Sequence, residues 1–143
     1  MQRWFLRHNN YDSVIYNCEF EINHAVESQA NIIFLYYKGA GKVISKLTRL
    51  VSGYKNVSFI GKDIEDGSSW VKEILDNKKI IPRLMKITGV QTDMCVHNTV
   101  EGLCALYPKT RLHVVSSACG AIYDNAHING LRAIGKFSNT VIV

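Results

Sequence analysis

The feature that most constrains this chain is a regular alternation of short apolar, β-branched runs with segments of helical periodicity. Residues 12–28 set Ile15, Cys18, Ile22 and Val26 on one helical stripe. The run Asn31-Ile32-Ile33-Phe34-Leu35-Tyr36-Tyr37 reads as a strand buried on both faces. Residues 42–52 predict a helix with Val43, Ile44, Leu47, Leu50 and Val51 inward, and residues 56–60 a short strand. Asp66-Gly67-Ser68-Ser69 offers cap residues for a helix carrying Trp70, Val71, Ile74 and Leu75. Residues 82–89 predict a strand. Thr92 or Asp93 then caps a helix whose apolar line is Val96, Val100 and Leu103. A strand at 111–115, a helix at 125–137 with Ile128, Leu131 and Ile134 inward, and a strand at 140–143 follow. Such alternation predicts an α/β domain: three layers, doubly wound and Rossmann-like, its mostly parallel sheet covered by helices on both faces. Sites in such folds lie at the carboxyl ends of the strands.

With 143 residues the chain suits one domain, able to bury roughly 70% of its unfolded surface without staples. No apolar run reaches membrane-spanning length, and Met1-Gln2-Arg3-Trp4-Phe5 turns polar by His8-Asn9-Asn10 instead of opening a secretory leader. Cys18, Cys95, Cys104 and Cys119 have neither metal-ligand nor disulfide-scaffold spacing, so free thiols in the cytoplasm are expected. The net charge of +5 comes from scattered Lys and Arg without a basic, aromatic-laced cluster, which argues against nucleic acid as a partner.

The segment that carries chemistry is Ile87-Thr88-Gly89-Val90-Gln91-Thr92-Asp93-Met94-Cys95-Val96. It reads as a strand broken at a glycine, a short turn, and a cysteine in the first turn of a helix. A helix start favours thiolate over thiol, and its free backbone N–H groups can stabilise an oxyanion. A cysteine is more often a small buried hydrophobe, and that reading suits Cys104, in mid-helix, and Cys18, on an apolar stripe. Cys119, in Ser116-Ser117-Ala118-Cys119-Gly120, follows a strand, where small residues ordinarily mark a turn. His97 lies two residues beyond Cys95 and on a helix faces away from it. His8, His24, His113 and His127 show no paired spacing, so no local Cys–His dyad is readable. Lys62 also stands just beyond a strand end, where it is either a cation beside Cys95 or a solvated lysine. Asp124 and His127 do not make a metal site, and Asp124 reads as a helix cap. Gly39-Ala40-Gly41-Lys42 lies between strand and helix but lacks phosphate-loop spacing; a tight turn accounts for it.

Gly89-Val90-Gln91-Thr92-Asp93-Met94-Cys95-Val96, with Thr99 after it, resembles the cysteine signature of the isochorismatase-like hydrolases, the family of nicotinamidases and N-carbamoylsarcosine amidohydrolase. Ser58-Phe59-Ile60-Gly61-Lys62 is similar to the segment bearing that family's lysine, and His113-Val114-Val115 through Ala118-Cys119 to the following strand and its turn. The resemblance implies an Asp–Lys–Cys triad in which Cys95 is the nucleophile and Lys62 the cation beside it. It also implies an oxyanion hole from the backbone N–H groups of Gln91 and Cys95, and a cis peptide bond between Val90 and Gln91.

The family's aspartate closes its first strand. Met1-Gln2-Arg3-Trp4-Phe5 resembles the stretch just after it, so the resemblance implies that aspartate and strand lie upstream of residue 1, and that the domain over residues 1–143 is incomplete at its N-terminus. The Asp-x-His metal motif of nicotinamidases is missing, which argues against nicotinamide as substrate and against a metal or other cofactor. Asp12 reads as a helix cap, not as a substitute base. The expectation is a cysteine hydrolase that cleaves a small amide or related C–N bond through a Cys95 thioester, has a small-molecule substrate, lies off the membrane and forms a homo-oligomer. The alternatives are an inactive member of the family acting as a binding or interaction protein, and a nucleotide-binding module using Gly39 to Lys42.

Overall fold

β1 (Ile32–Tyr37) consists entirely of β-branched, aromatic and leucine side chains, and it pairs in parallel with β2 (Val57–Lys62) from Ile32↔Val57 to Tyr37↔Lys62. The computed structural model in which this is seen describes residues 1–6 and 11–143; His8 lies outside them. The ladder runs two residues past the predicted end of β2. Lys62 is therefore the last strand residue, fixed beside Tyr37, and not the start of a loop.

A second parallel sheet has the order β3 (Leu84–Val90), β4 (Arg111–Gly120), β5 (Thr140–Ile142). β4 is twice the length predicted. Its pairing with β3 shifts between Ile87↔Val114 and Gly89↔Cys119, so that residues 115–118 stand opposite Thr88 alone. The small residues read as a turn belong to this irregular strand. They sit beneath the first long helix, α1 (Asp12–Glu27), where Asn17 Nδ2 donates to the Ser117 carbonyl at 2.9 Å and Cys18 Sγ to the Ala118 carbonyl at 3.3 Å. Small side chains let α1 lie that close, which is why they mimic a turn in the sequence.

The helix predicted over 42–52 is also corrected. Only α2 (Ser45–Thr48) and one 3₁₀ turn (Arg49–Val51) form. Val43 bridges antiparallel to Gln2, and Ile44 stays extended at φ −60°, ψ 138°. The Gln2 side chain holds this stretch open: its amide nitrogen donates to the carbonyls of Tyr37 and Gly41, while its oxygen accepts from Tyr37 N at 2.6 Å. α3 (Ser68–Asn77), α4 (His97–Leu106) and α5 (Asp124–Ile134) complete the chain. The residue flanking α3 is Gly67, which has no side chain to cap with; Asp66, one position ahead, accepts from Ser68 N at 2.8 Å. Asp12 and Asp124 are first helical residues, the flanking positions being Tyr11 and Tyr123.

Alternate residues of the strands face two apolar layers. Ile33, Leu35, Met85 and Ile87 pack with Val71, Leu75, Val100, Leu103 and Ile134, from α3, α4 and α5. Phe34, Val115 and Ala118 pack with Ile15, Cys18 and Leu47, from α1 and α2. Both sheets therefore lie in one layer between the same two helical layers, in the expected α/β arrangement. Among the described residues no ladder joins β1 to β3, so each has one edge without a partner strand.

Cys119 is 2% exposed, and burial pushes its thiol up to about 12. An unfolded chain loses that proton near 9.0, the folded one only near 12. The contribution is thus fully present below about pH 9 and is lost as pH rises toward 12, because the unfolded state alone has shed its proton. Thermal melts from pH 8 to 11 are expected to show a falling Tm for the wild type and a shallower fall for Cys119→Ala.

Candidate functional site

β3 stops where its ladder with β4 stops, at Val90↔Gly120, and the Val90–Gln91 peptide bond is cis, as the resemblance implies. The chain then enters a π-helical turn, Thr92–Val96, that leads directly into α4. Gln91 flanks the turn in extended conformation and its carbonyl accepts from Met94 N at 3.3 Å and Val96 N at 3.0 Å. The side-chain cap expected from Thr92 or Asp93 is absent; the Thr92 hydroxyl is taken by His127 Nδ1 at 2.9 Å. Cys95 is half-buried at the fourth position of this turn.

Lys62 is 5% exposed. Its Nζ lies 5.6 Å from the centre of the Tyr37 ring and donates to the Glu65 carbonyl. Among the described residues no carboxylate stands within ion-pair distance of it. The loop beyond β2 ties this lysine to the helix that follows Cys95. The Glu65 carbonyl also accepts from Thr99 Oγ1 at 3.4 Å, Thr99 Oγ1 accepts from Gly67 N at 2.9 Å, and Asn98 Nδ2 donates to the Glu65 carboxylate at 2.7 Å. Gly67 fills the angle between the two: a Cβ there would come within 3.2 Å of Thr99 Oγ1 and 3.4 Å of Lys62 Cδ, and it would collide with Leu35 at 2.6 Å. Thr99 is four residues beyond Cys95, so one hydroxyl links the lysine's loop to the cysteine's helix.

The other candidates fall elsewhere. Cys18 and Cys119 are buried, and burial raises both thiols. Cys104 is half-buried with Sγ 3.3 Å from Thr140 Oγ1, and His97 packs its ring 5.7 Å from that of Phe137. Gly39 and Gly41 adopt φ of +83° and +84° in a tight turn, and only the four residues of α2 and one 3₁₀ turn follow. So short a helix lacks most of the aligned dipoles that a phosphate-binding helix presents. Among the described residues, no three His, Cys, Asp or Glu side chains gather as metal ligands, and no helix is long and apolar enough to cross a membrane.

Three parts of this site have no local signature in the sequence. They are the Thr92–His127 contact, the Tyr11 hydroxyl that donates to Gln91 Oε1 at 3.2 Å, and Gly130, whose Cα faces the backbone of Thr92 and Asp93. His127 was visible but had no local partner, since its partner lies 35 positions away.

No family model matches the sequence, and no curated protein does. Solved structures do. MAR1 ribonuclease from Caenorhabditis elegans superposes with a TM-score of 0.84 at 17% identity, over 99% of this chain and 72% of that one. The chain has the isochorismatase-like fold. A nicotinamidase from Staphylococcus aureus matches with a TM-score of 0.74 at 22% identity, over 87% of this chain and 78% of its own. An isochorismatase-like hydrolase from Alkaliphilus metalliredigens matches with a TM-score of 0.73 at 18% identity, over 96% and 83%. Within this isochorismatase-like fold the Thr99 hydroxyl is the joint between the two candidate residues. Thr99→Val leaves Gly67 N without its acceptor and is expected to cost about 1–3 kcal/mol, measured by urea unfolding.

Proposed function

We propose that this protein is a cysteine hydrolase that cleaves a small amide or related C–N bond. The observation that carries the reading is Lys62: a buried amine at a strand's carboxyl end, with no carboxylate within ion-pair distance among the described residues, held by a loop bonded to the helix that follows Cys95. A buried cation requires an anionic partner, and a thiolate or an oxyanion supplies one. Cys95 Sγ attacks the substrate carbonyl carbon, and the resulting oxyanion lies against the backbone N–H groups of Gln91 and Cys95. The C–N bond breaks, ammonia or an amine leaves with a proton, and water hydrolyses the thioester to free the acid and the thiol. The fold's nicotinamidase and isochorismatase-like neighbours support hydrolysis as the class of reaction.

Labelling of the intact protein with iodoacetamide at about pH 7 tests the nucleophile. Cys95 is expected to react roughly tenfold faster than Cys104, and Lys62→Met to bring the two rates together. Equal, slow labelling of all four thiols instead favours a protein that keeps the fold for binding.

The reaction also needs a proton carrier. The Gln2 side chain is bonded to the backbone of Tyr37, which pairs with Lys62, so the chain at Gln2 runs beside the end of β1. The α-amino group of Met1 is itself buried, and desolvation lowers its pKa. A variant with an apolar strand ending in Asp fused ahead of Met1 is expected to melt higher and to release ammonia from small primary amides. The same fusion ending in Asn is expected to keep the stability and lose the activity.

A further inference from the structure

We propose that His127 is a positioning residue for Cys95, acting through Thr92; this rests on Cys95 being the nucleophile. Thr92 opens the cysteine's turn and is 0% exposed, and its hydroxyl meets His127 Nδ1 at 2.9 Å. Three residues further along α5, Gly130 touches the same turn. A Cβ on Gly130 would stand 2.8 Å from Asp93 N, 2.9 Å from Asp93 Cα and 3.0 Å from the Thr92 carbonyl carbon.

Residues at i and i+3 share one helix face, so α5 grips the turn at two points. The two contacts differ in kind. The glycine contact fixes how near α5 lies but leaves the turn free to rotate, because van der Waals contact has little direction. The hydrogen bond has direction, and it sets the rotation of the turn about that contact. Packing does not do this for the histidine. With Tyr11, Ser13, Ser117 and Asp124, His127 borders an open cleft of about 300 Å³, so its ring has room for other rotamers when Thr92 does not hold it. From the same cleft the Tyr11 hydroxyl holds Gln91 Oε1 at 3.2 Å. The residues that carry the proposed oxyanion donors, Gln91 and Cys95, thus lie in a segment braced from α5 and from the start of α1. Among the described residues the titratable groups on this cleft are Tyr11, Asp124, His127 and Cys119, and the Thr92 hydroxyl meets either tautomer of the ring because it can donate or accept.

The test is the ratio of Cys95 to Cys104 alkylation rates in folded protein, with urea unfolding in parallel. His127→Ala and Thr92→Val are each expected to lower the ratio about three- to tenfold, the worth of one hydrogen bond. The double variant is expected to fall no further, because both changes remove the same contact. Thr92→Ser keeps the hydroxyl, His127→Asn keeps a polar atom near the Nδ1 position, and both are expected to retain most of the ratio. A purely structural role would lower stability and leave the ratio unchanged, which overturns the proposal. Effects that multiply in the double variant overturn it too, since His127 would then act independently of Thr92. A wild-type ratio near one overturns the nucleophile reading itself, and this inference with it.

Discussion

The site depends on where the β3–β4 ladder ends. Parallel pairing holds the backbone of β3 through Val90↔Gly120 and then releases it. From that point the chain has no sheet to follow, and its direction is set by one backbone carbonyl and two side-chain contacts: the Gln91 carbonyl closing the π turn, the Gln91 amide held by Tyr11, and Thr92 held by His127. The irregular stretch of β4 opposite Thr88 is part of the same device. By accommodating four residues against one, it brings Gly120 level with Val90 and lets α1 settle over Ser117 and Ala118. Tyr11, immediately before α1, is thereby in place to reach Gln91.

Lys62 is positioned by an equivalent rule on the other sheet. Its backbone is fixed by the last pair of the β1–β2 ladder, and its amine by a carbonyl in the loop that follows. Among the described residues the two halves meet through polar contacts of Thr99 and Asn98 with residues 65–67 and through the shared apolar layers, not through a shared strand. A lysine and a cysteine 33 positions apart are thus placed relative to each other by one loop and one helix.

The alternation of apolar runs was enough to read five strands and most of the helices, because both periodicities are local. The cysteine turn was legible for the same reason: strand, glycine, turn and thiol are contiguous from Ile87 to Cys95. What the sequence concealed is non-local. Nothing near Ser116 distinguishes small residues that turn from small residues that admit a helix overhead. Nothing near Val43 announces that the Gln2 side chain will keep that segment extended. Thr92 reads as a cap by every local rule, yet a histidine 35 residues later takes its hydroxyl. Gly130 looks like a weak point in a helix until the backbone it touches is known.

The open edges of β1 and β3 have a bearing on how this molecule comes apart. Within the described residues no strand ladder crosses between the two sheets, so cooperativity across that seam rests on side-chain packing and on the helices. Cooperative units of a structure can open locally with their own free energies. Lys62 belongs to one unit and Cys95 to the other. A sub-global opening along the seam would part the two residues while both sheets remain intact, so loss of the site need not wait for loss of the fold.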